Sequence, residues 1–431
     1  MEQKLSPFIS YGHYNDATLL IDHKNKDEFL MNGAAGELLD RIDSGSYMLT
    51  EEEKKFIREL RNLGILKTEE QPVSFGREKP TGNTEETSVV NDYYASSREH
   101  GNLIAMTLEL THKCPLNCRH CALEHKNFSH ENKLSINEIK NLLSEFRNMG
   151  GMFVTFTGGE PFSRKDFADI VVTARELRLA VTILSSGYGA EPSIIREICA
   201  NGLYNVQISL HGPNAAVHDE FTGIRGSFDA ALLSLRAFRD HDVDCSAAIT
   251  VTKYNAPYQD EITELLENEN IIAGYNYIIM PSKNTSMNNE NLVVSDAVLR
   301  KSLMKIPAGN PPRFACRTDN DPVCDAGRTI ISVSPEGFVS PCIGIRDTDY
   351  SIRNYSLSDI MKKSESMKRI RSLKVKDLED CLHCPWKTRC NRCSALALAE
   401  NHTITEHSWQ DCRMARIISE ISLSCKNNKT I

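Results

Sequence analysis

Apolar and polar residues alternate through the middle of the chain in a pattern that predicts strands and helices in turn. Apolar runs typical of buried strands recur between residues 103 and 279, and amphipathic helical patterns separate them. Ser135 begins one of these helices with a capping box. The pattern predicts an α/β fold over residues 102–315, a parallel sheet curled into a partial (β/α)6 TIM barrel. The predicted strands are Leu103–Leu110, Phe153–Thr157, Ala180–Ser185, Tyr204–Leu210, Ala247–Val251 and Ile271–Ile279.

A shorter pattern at the N-terminus predicts a small separate domain over residues 1–68. Two apolar runs, Thr18–Asp22 and Glu28–Met31, flank a polar turn and indicate a β-hairpin. Asn32 is a candidate cap for the helix that follows, and Thr50 begins a second helix with a capping box. The size and order of these elements predict a winged-helix-like domain.

The segment 69–101 separates this domain from the barrel. It is polar, contains Pro and Gly, and has no sustained apolar period. Segments of this composition bury too little apolar surface to fold alone, so we expect a flexible linker. The barrel would then fold without the N-terminal domain.

Length and charge restrict the functional classes. A chain of 431 residues has room for several domains, at ~100–200 residues each. Its net charge of −8 argues against a nucleic-acid partner, which usually requires a basic face. The sequence has no N-terminal signal region and no apolar stretch of the ~20 residues that cross a bilayer. We therefore expect a cytoplasmic protein that binds neither nucleic acid nor membrane.

Fourteen cysteines in such a chain indicate metal binding rather than disulfides. Cys114, Cys118 and Cys121 form a CxxxCxxC motif after the first predicted barrel strand. An ordinary [4Fe–4S] cluster is held by four thiolates, so three at this spacing leave one iron open to a small molecule. A zinc site is the alternative, although structural zinc usually uses CxxC pairs and four ligands.

The motif and the GGE sequence that follows the next predicted strand, Gly158, Gly159 and Glu160, resemble the radical S-adenosylmethionine (SAM) superfamily. The resemblance implies that Cys114, Cys118 and Cys121 hold a [4Fe–4S] cluster bound to SAM, and that backbone atoms around GGE hold the methionyl amine of SAM. It also places His120 at the position before the third cysteine where the superfamily prefers an aromatic residue.

A second stretch of the chain extends the resemblance and adds two candidate SAM-binding residues. The stretch VQISLHGPNAAVHDEFTGIRGSF resembles the fourth strand and following segment of radical SAM enzymes with a SPASM extension. This implies that Ser209 and Arg225 bind the SAM carboxylate, the arginine through charge-assisted hydrogen bonds. The alternative is that Ser209 merely ends a strand and Arg225 is a solvated loop charge.

The C-terminal region, residues 316–431, resembles the SPASM domain in the order of its cysteines, except that two residues rather than three separate Cys390 from Cys393. The resemblance implies two auxiliary [4Fe–4S] clusters. The first would be bound by Cys316, Cys324, Cys342 and Cys393, and the second by Cys381, Cys384, Cys390 and Cys412. A zinc ribbon is the alternative for the CxxC pair. Cys199, Cys245 and Cys425 are left over, and the first two suit small apolar positions.

The N-terminal domain resembles the recognition element of enzymes that modify ribosomally made peptides (RiPPs), where a leader peptide adds as a strand to the sheet edge. Its alternative is a winged-helix fold used for packing or dimerisation. All three parts together imply a maturase similar to sactipeptide and ranthipeptide synthases. Such an enzyme forms Cys thioether cross-links in a leader-bearing precursor peptide through a 5′-deoxyadenosyl radical, with electrons from a donor such as flavodoxin or ferredoxin.

Other activities stay open from the sequence. A peptide epimerase or a carbon–carbon cross-linking maturase would use the same modules. A sulfatase-maturing enzyme would carry Asp directly after the GxxxxC cysteine, where this chain has Ile343. A non-enzymatic zinc-ribbon scaffold would leave both the CxxxCxxC and the GGE motifs unexplained.

Overall fold

The computed structural model describes residues 4–14, 17–45, 49–63, 65–66, 89–122, 133–282, 289–305 and 318–427. Cys316 and residues 69–88 lie outside these ranges, and so do the predictions that fall on them. Among the described residues, no helix combines the length and the apolar character needed to cross a bilayer.

Strands and helices in these ranges are numbered in chain order. The strands are β1 Ile9–Tyr14, β2 Ala17–Asp22, β3 Asp27–Asn32, β4 Ala105–Glu109, β5 Phe153–Thr157, β6 Ala180–Ser185, β7 Asn205–Ser209, β8 Cys245–Thr250, β9 Ile272–Asn276, β10 Ile330–Val333 and β11 Val339–Ser340. The helices are α1 Gly33–Asp43, α2 Glu51–Asn62, α3 Val89–His100, α4 Ile136–Asn148, α5 Phe167–Glu176, α6 Pro192–Cys199, α7 Ala215–Thr222, α8 Ser227–Asp240, α9 Gln259–Asn268, α10 Asp296–Leu303, α11 Leu357–Lys363, α12 Glu365–Ser372, α13 Glu379–Leu382, α14 Ser394–Asn401 and α15 Trp409–Asn427.

The barrel sheet follows the predicted topology. Strands β4 to β9 lie side by side in chain order, each parallel to the next. Helices cross over between them, as parallel pairing requires, and the predicted α/β fold with a parallel sheet is confirmed. The C-terminal region extends this sheet, which the sequence did not predict: β10 pairs parallel with β4, and β11 pairs antiparallel with β10.

The barrel strands bury one face and leave the other accessible. Side chains such as Leu108, Phe156 and Ile208 pack with the helices in the main apolar core. Successive side chains on a strand point to opposite faces, so the residues between them face the interior. Gln207 is exposed although β7 lies between two other strands. The interior is therefore an open lumen.

A row of polar side chains crosses this inner face at one level. Thr107 on β4 pairs with Thr155 on β5, which pairs with Thr182 on β6. The row continues to Ser332 on β10 at one end and to Asn205 on β7 at the other. Such a lumen offers hydroxyl and amide groups in place of the branched apolar layers that fill most TIM barrels.

The N-terminal subdomain, which we define as β1–β3 with α1 and α2, is a three-stranded antiparallel sheet covered by two helices. The predicted hairpin is confirmed as β2 and β3. The predicted caps are also confirmed, since the Asn32 side chain accepts from the Ala35 backbone N–H and Thr50 forms a capping box. Strand β1 was not predicted, and its Gly12 packs closely against Met152 of the barrel.

The prediction of a flexible linker over residues 69–101 is wrong for its last part, because α3 occupies Val89–His100. Tyr93 is buried and packs with Leu19 of β2 and Phe153 of β5. Because Phe153 begins its strand, α3 lies at the N-terminal ends of the barrel strands, between the barrel and the N-terminal sheet. These tertiary contacts stabilise a helix whose sequence has little apolar character of its own.

Candidate active site

Cys114, Cys118 and Cys121 lie in the loop that follows β4, at the C-terminal end of that strand. Burial raises the pKa of the Cys114 thiol to about 11 and that of Cys118 to about 12, and the neighbouring Cys121 thiol adds to both shifts. A bound metal deprotonates thiols, and its positive charge compensates the negative charges of the buried sulfurs. The loop therefore has a donor set that fits an iron–sulfur cluster with three protein ligands.

Within the described ranges, no three His, Cys, Asp or Glu side chains are arranged to hold a single metal ion. A single zinc ion needs all its ligands within ~2.0–2.3 Å of one point. The thiolates of a four-iron cluster each bind a different iron, and so they stand farther apart.

The GGE segment at the end of β5 lies directly against the cysteine loop. A Cβ atom on Gly158 would come within 2.5 Å of the Thr111 carbonyl oxygen, and one on Gly159 within 2.3 Å of the Lys113 carbonyl oxygen. Gly158 also has a positive φ of 130°, so only glycine fits there. The Gly159 and Glu160 N–H groups donate to Thr111 and Lys113, at 2.7 and 2.8 Å. These contacts fix the loop relative to the barrel.

Glu160 is fully buried, and its carboxylate is held at the end of β6. It accepts hydrogen bonds from the Ser185 hydroxyl at 2.7 Å, from the Ser186 N–H at 2.8 Å and from the Phe162 N–H at 3.0 Å. Burial raises the pKa of Glu160, and these hydrogen bonds counteract the rise only in part. The side chain thus joins β5 to β6 at the barrel mouth. The carbonyl oxygens of Gly158 and Gly159 have no partner among the described residues, which leaves them accessible to the amine that the resemblance assigns to this segment.

Buried imidazoles lie beside the cysteine loop. The His120 ring contacts the rings of His211 at 4.8 Å and Phe221 at 5.3 Å between centroids. In the described part of the chain, Nδ1 of His120 and both ring nitrogens of His211 are buried without a hydrogen-bond partner. Burial lowers the pKa of His120 to about 4. His211 was missed by sequence reasoning, and the only available signal was its position two residues beyond Ser209.

The two residues expected at the SAM carboxylate have different surroundings. Ser209 is half-buried at the end of β7, and its neighbour Ile208 faces the core, so Ser209 faces the lumen. Arg225 is exposed in the turn between α7 and α8 and makes no ion pair or hydrogen bond with the described residues. Its role stays a prediction.

The cysteines of the C-terminal region come together in two groups. Burial and the nearby thiols of Cys393 and Cys324 raise the pKa of Cys342 to about 11. These three and Cys381 pack against one small apolar core. Cys324, Cys342 and Cys393 are the described members of the set predicted for the first auxiliary cluster. The leftover Cys199 and Cys245 instead pack in or against the main core, away from both groups.

The second group lines a single cavity of about 710 Å³, which contains Cys381, Cys384, Cys390 and Cys412. Burial raises the pKa of Cys390 to about 12 and that of Cys412 to about 11, and the other thiols add to these shifts. The division of these cysteines between two auxiliary clusters stays a prediction, and Cys316 lies outside the described residues.

Ion pairs tie the C-terminal region to the cysteine loop. Arg346 donates two hydrogen bonds of 2.8 Å each to the carboxylate of Glu109, the last residue of β4. His112 lies 2.8 Å from Glu336 in the turn between β10 and β11. Burial alone would raise the pKa of Glu336, but hydrogen bonds from His112 and Ser334 lower it to about 2. The C-terminal region thus holds the cysteine loop through two contacts, one to Glu109 and one to His112.

Comparisons with known proteins find radical SAM proteins. The Radical SAM superfamily model matches residues 108–266. The AdoMet-dependent heme synthase of Oleidesulfovibrio alaskensis is 26% identical over 317 residues, covering 67% of this chain and 81% of that protein. The PqqA peptide cyclase of Rhodopseudomonas palustris is 30% identical over 329 residues, covering 70% of this chain and 85% of that protein.

A solved structure has a similar fold over almost the whole chain. Streptococcus suis SuiB bound to the precursor peptide SuiA matches with a TM-score of 0.64 at 16% sequence identity. The match covers 95% of this chain and 99% of SuiB, so it includes the N-terminal and C-terminal regions as well as the barrel.

Proposed function

The chain belongs to the radical SAM superfamily, and on that premise we propose that it forms Cys thioether cross-links in a ribosomally made precursor peptide. When bound, a [4Fe–4S] cluster and SAM supply a 5′-deoxyadenosyl radical able to remove hydrogen from carbon. We assign the cluster to Cys114, Cys118 and Cys121. The observation that carries the peptide substrate is the open edge of the N-terminal sheet.

One edge of that sheet is already occupied. Carbonyl groups on the outer edge of β1 accept hydrogen bonds from barrel arginines, Ile9 from Arg175 at 3.2 Å and Tyr11 from Arg147. Among the described residues no strand pairs with the outer edge of β3, the other end of the sheet. An extended leader peptide therefore has one edge to which it can add.

The surroundings of β3 suit a peptide. Leu30 on β3 is 55% exposed, an uncommon position for a large apolar side chain on an edge strand. Helix α3 lies beside β3, and its Val90 N–H donates to the Glu28 carboxylate. A leader strand would place apolar side chains against Leu30 and α3 while its backbone pairs with β3.

The barrel lumen supports a peptide rather than a porphyrin as the group that reaches the radical. The residues of β4–β9 that face the lumen include no Lys or Arg, and Glu109 is their sole charged member in this described part of the chain. Its charge is paired with Arg346. Porphyrin carboxylates would require cationic partners, whereas hydroxyl and amide groups can bind peptide backbone. From the similarity to the heme synthase we therefore infer only a shared fold and a shared cofactor.

The thioether product rests on a balance of hydrogens and electrons. Joining a thiol to carbon removes one hydrogen atom from carbon and one proton from sulfur, which leaves one electron to be accepted. The two groups of C-terminal cysteines fit auxiliary clusters that would accept it. Ile343, 45% exposed after Cys342, supplies no carboxylate base of the kind expected in a sulfatase-maturing enzyme.

Mass spectrometry tests the proposal. The reduced enzyme, incubated with SAM and a leader-bearing peptide that contains Cys, should lower the peptide mass by two hydrogens for each cross-link. The linked cysteine should resist iodoacetamide, and a control peptide with Ser in place of Cys should keep its mass. Unchanged mass in water with uptake of deuterium in deuterium oxide would indicate an epimerase instead. A mass loss with every thiol still alkylated would indicate a carbon–carbon cross-link.

A further inference from the structure

Arg392 is buried between the two groups of C-terminal cysteines. It stands between Cys390 and Cys393 in the short spacing noted above, and only 7% of its surface is exposed. Its guanidinium lines the cavity that contains the second group. It donates to the Ser394 hydroxyl at 3.0 Å and to the Glu406 carbonyl oxygen at 2.6 Å.

The charge of Arg392 lacks a carboxylate partner in the described part of the chain. Its guanidinium forms no ion pair with an Asp or Glu of the described residues, and Nε has no hydrogen-bond partner there. A buried charge is costly unless it is paired. Arg392 lines the same cavity as the thiols of Cys381, Cys384, Cys390 and Cys412. Thiolates in the cavity would supply the missing negative charge.

We propose that Arg392 raises the reduction potential of the iron–sulfur cluster that Cys381, Cys384, Cys390 and Cys412 would hold. A cluster becomes more negative when it gains an electron, so a buried cation beside it stabilises the reduced form. Net charge and hydrogen bonds to the sulfurs are the main protein influences on such potentials. By raising this potential, Arg392 would make the cluster a better electron acceptor. The inference rests on the proposed auxiliary clusters.

Other charged side chains near the cavity would also affect the reduction potential of the cluster. Asp411 precedes Cys412, and its carboxylate accepts a hydrogen bond of 2.7 Å from the Cys393 N–H. The negative charge of this carboxylate acts against the positive charge of Arg392. Arg413 and Arg416 also line the cavity, but both are paired with Asp296. Arg392 and Asp411 therefore form a pair of opposite influences that can be removed one at a time.

Redox titration of the full-length, anaerobically reconstituted protein, followed by electron paramagnetic resonance, tests this inference. Arg392→Gln should lower the midpoint potential of one cluster by at least a tenfold change in its reduction equilibrium, about 59 mV for a one-electron couple. Arg392→Lys, which keeps the charge, should lower it less, and Asp411→Asn should raise it. The potential of the cluster assigned to Cys114, Cys118 and Cys121, on the barrel, should change little.

Lys376→Gln is the matched control, since it removes one positive charge from an exposed position in the same region, and it should leave all potentials unchanged. If Arg392→Gln retains full iron and sulfide but the potential of each cluster matches the wild type, the inference is overturned and the proposed function stands. If Arg392→Gln loses iron, the other two variants decide. A lower midpoint potential in Arg392→Lys with a higher one in Asp411→Asn supports the inference, and potentials that are shifted equally overturn it. A wild-type protein with no auxiliary cluster would overturn both.

Discussion

The guanidinium of Arg175, on helix α5 of the barrel, donates a hydrogen bond of 3.2 Å to the backbone carbonyl of Ile9 in the N-terminal sheet. The same side chain donates to the Pro7 carbonyl at 2.8 Å and to the Ser10 hydroxyl. Burial, with a smaller effect of Arg178, lowers the pKa of Arg175 to about 9. The N-terminal subdomain is therefore anchored to the barrel by a buried cation.

Replacement of that cation should release the subdomain. Arg175→Met leaves several buried acceptors unpartnered, at about 1–3 kcal/mol each, so we expect the free energy of unfolding to fall by several kcal/mol. Thermal unfolding and limited proteolysis would measure this. The control is Arg196→Met on the neighbouring helix α6, where the side chain is exposed, and it should change little. Equal melting temperatures for the two variants would contradict the anchoring role.

This anchoring alters an expectation that the sequence alone supports. A flexible linker would allow residues 1–68 to be deleted without harm to the barrel. In the structure such a deletion would expose the partners of α3 and remove the acceptors of Arg175 at Pro7, Ile9 and Ser10. Peptide recognition is therefore better tested by point substitution than by truncation.

Leu30→Glu is such a substitution, and it should weaken leader binding. Burial of a leucine side chain stabilises a contact by about 1.5–3 kcal/mol, so the dissociation constant should rise roughly tenfold or more. Fluorescence anisotropy of a labelled leader peptide would measure it. Leu233→Glu on α8 is the control, because that leucine is also exposed, at 63%, but lies on the barrel. Neither variant should change SAM cleavage in the absence of peptide. Equal affinities in both variants would argue that β3 does not bind the leader.

The replacement of Cys114, Cys118 and Cys121 together by Ala should abolish 5′-deoxyadenosine formation and leave about two thirds of the iron bound. The reason is that the C-terminal cysteines are separate from the loop after β4, and four of them line one cavity. Iron and sulfide analysis with chromatography of the nucleoside products would measure both results. Residual 5′-deoxyadenosine under strong reductant would refute the assignment of the active site.

The ion pair between Arg346 and Glu109 should couple the C-terminal region to the barrel. The Glu109 side chain is 1% exposed, and breaking a buried pair by removing one partner costs about 3–5 kcal/mol. We expect a loss of this size for Arg346→Met in chemical denaturation. The double variant with Glu109→Leu should recover most of it, because no charge is then left buried. A double variant as unstable as the sum of the single ones would contradict the coupling.

The sequence predicted the features that local patterns encode. The capping boxes at Thr50 and Ser135 are formed as expected, because each depends on residues three positions apart. The pairing of β10 with β4 joins segments more than two hundred residues apart, for example Ser332 with Thr107, and no local pattern specifies it. Tyr93 shows the same limit, since only contact with the barrel makes α3 stable.

The candidate site also has some features that the sequence predicts and others that it does not. The resemblance to the SPASM domain, carried by the order of the cysteines, implied the two groups of C-terminal cysteines, and their role as cluster ligands stays a prediction. The burial of His211, Arg175 and Arg392 could not be predicted, because it depends on partners that are distant in the sequence. Each of these side chains is polar and would be expected at the surface from its residue type.

Tryptophan fluorescence should report the second auxiliary cluster selectively. The chain contains two tryptophans, and both Trp386 and Trp409 line the cavity of the second cysteine group. An iron–sulfur cluster absorbs where indole emits, so a cluster in this cavity should quench both. Cys384→Ala should therefore raise the emission of the reconstituted protein severalfold, whereas alanines at Cys114, Cys118 and Cys121 should change it little. If the two variants brightened equally, or if Cys384→Ala stayed as dim as the wild type while losing a third of its iron, the quenching cluster would have to lie elsewhere.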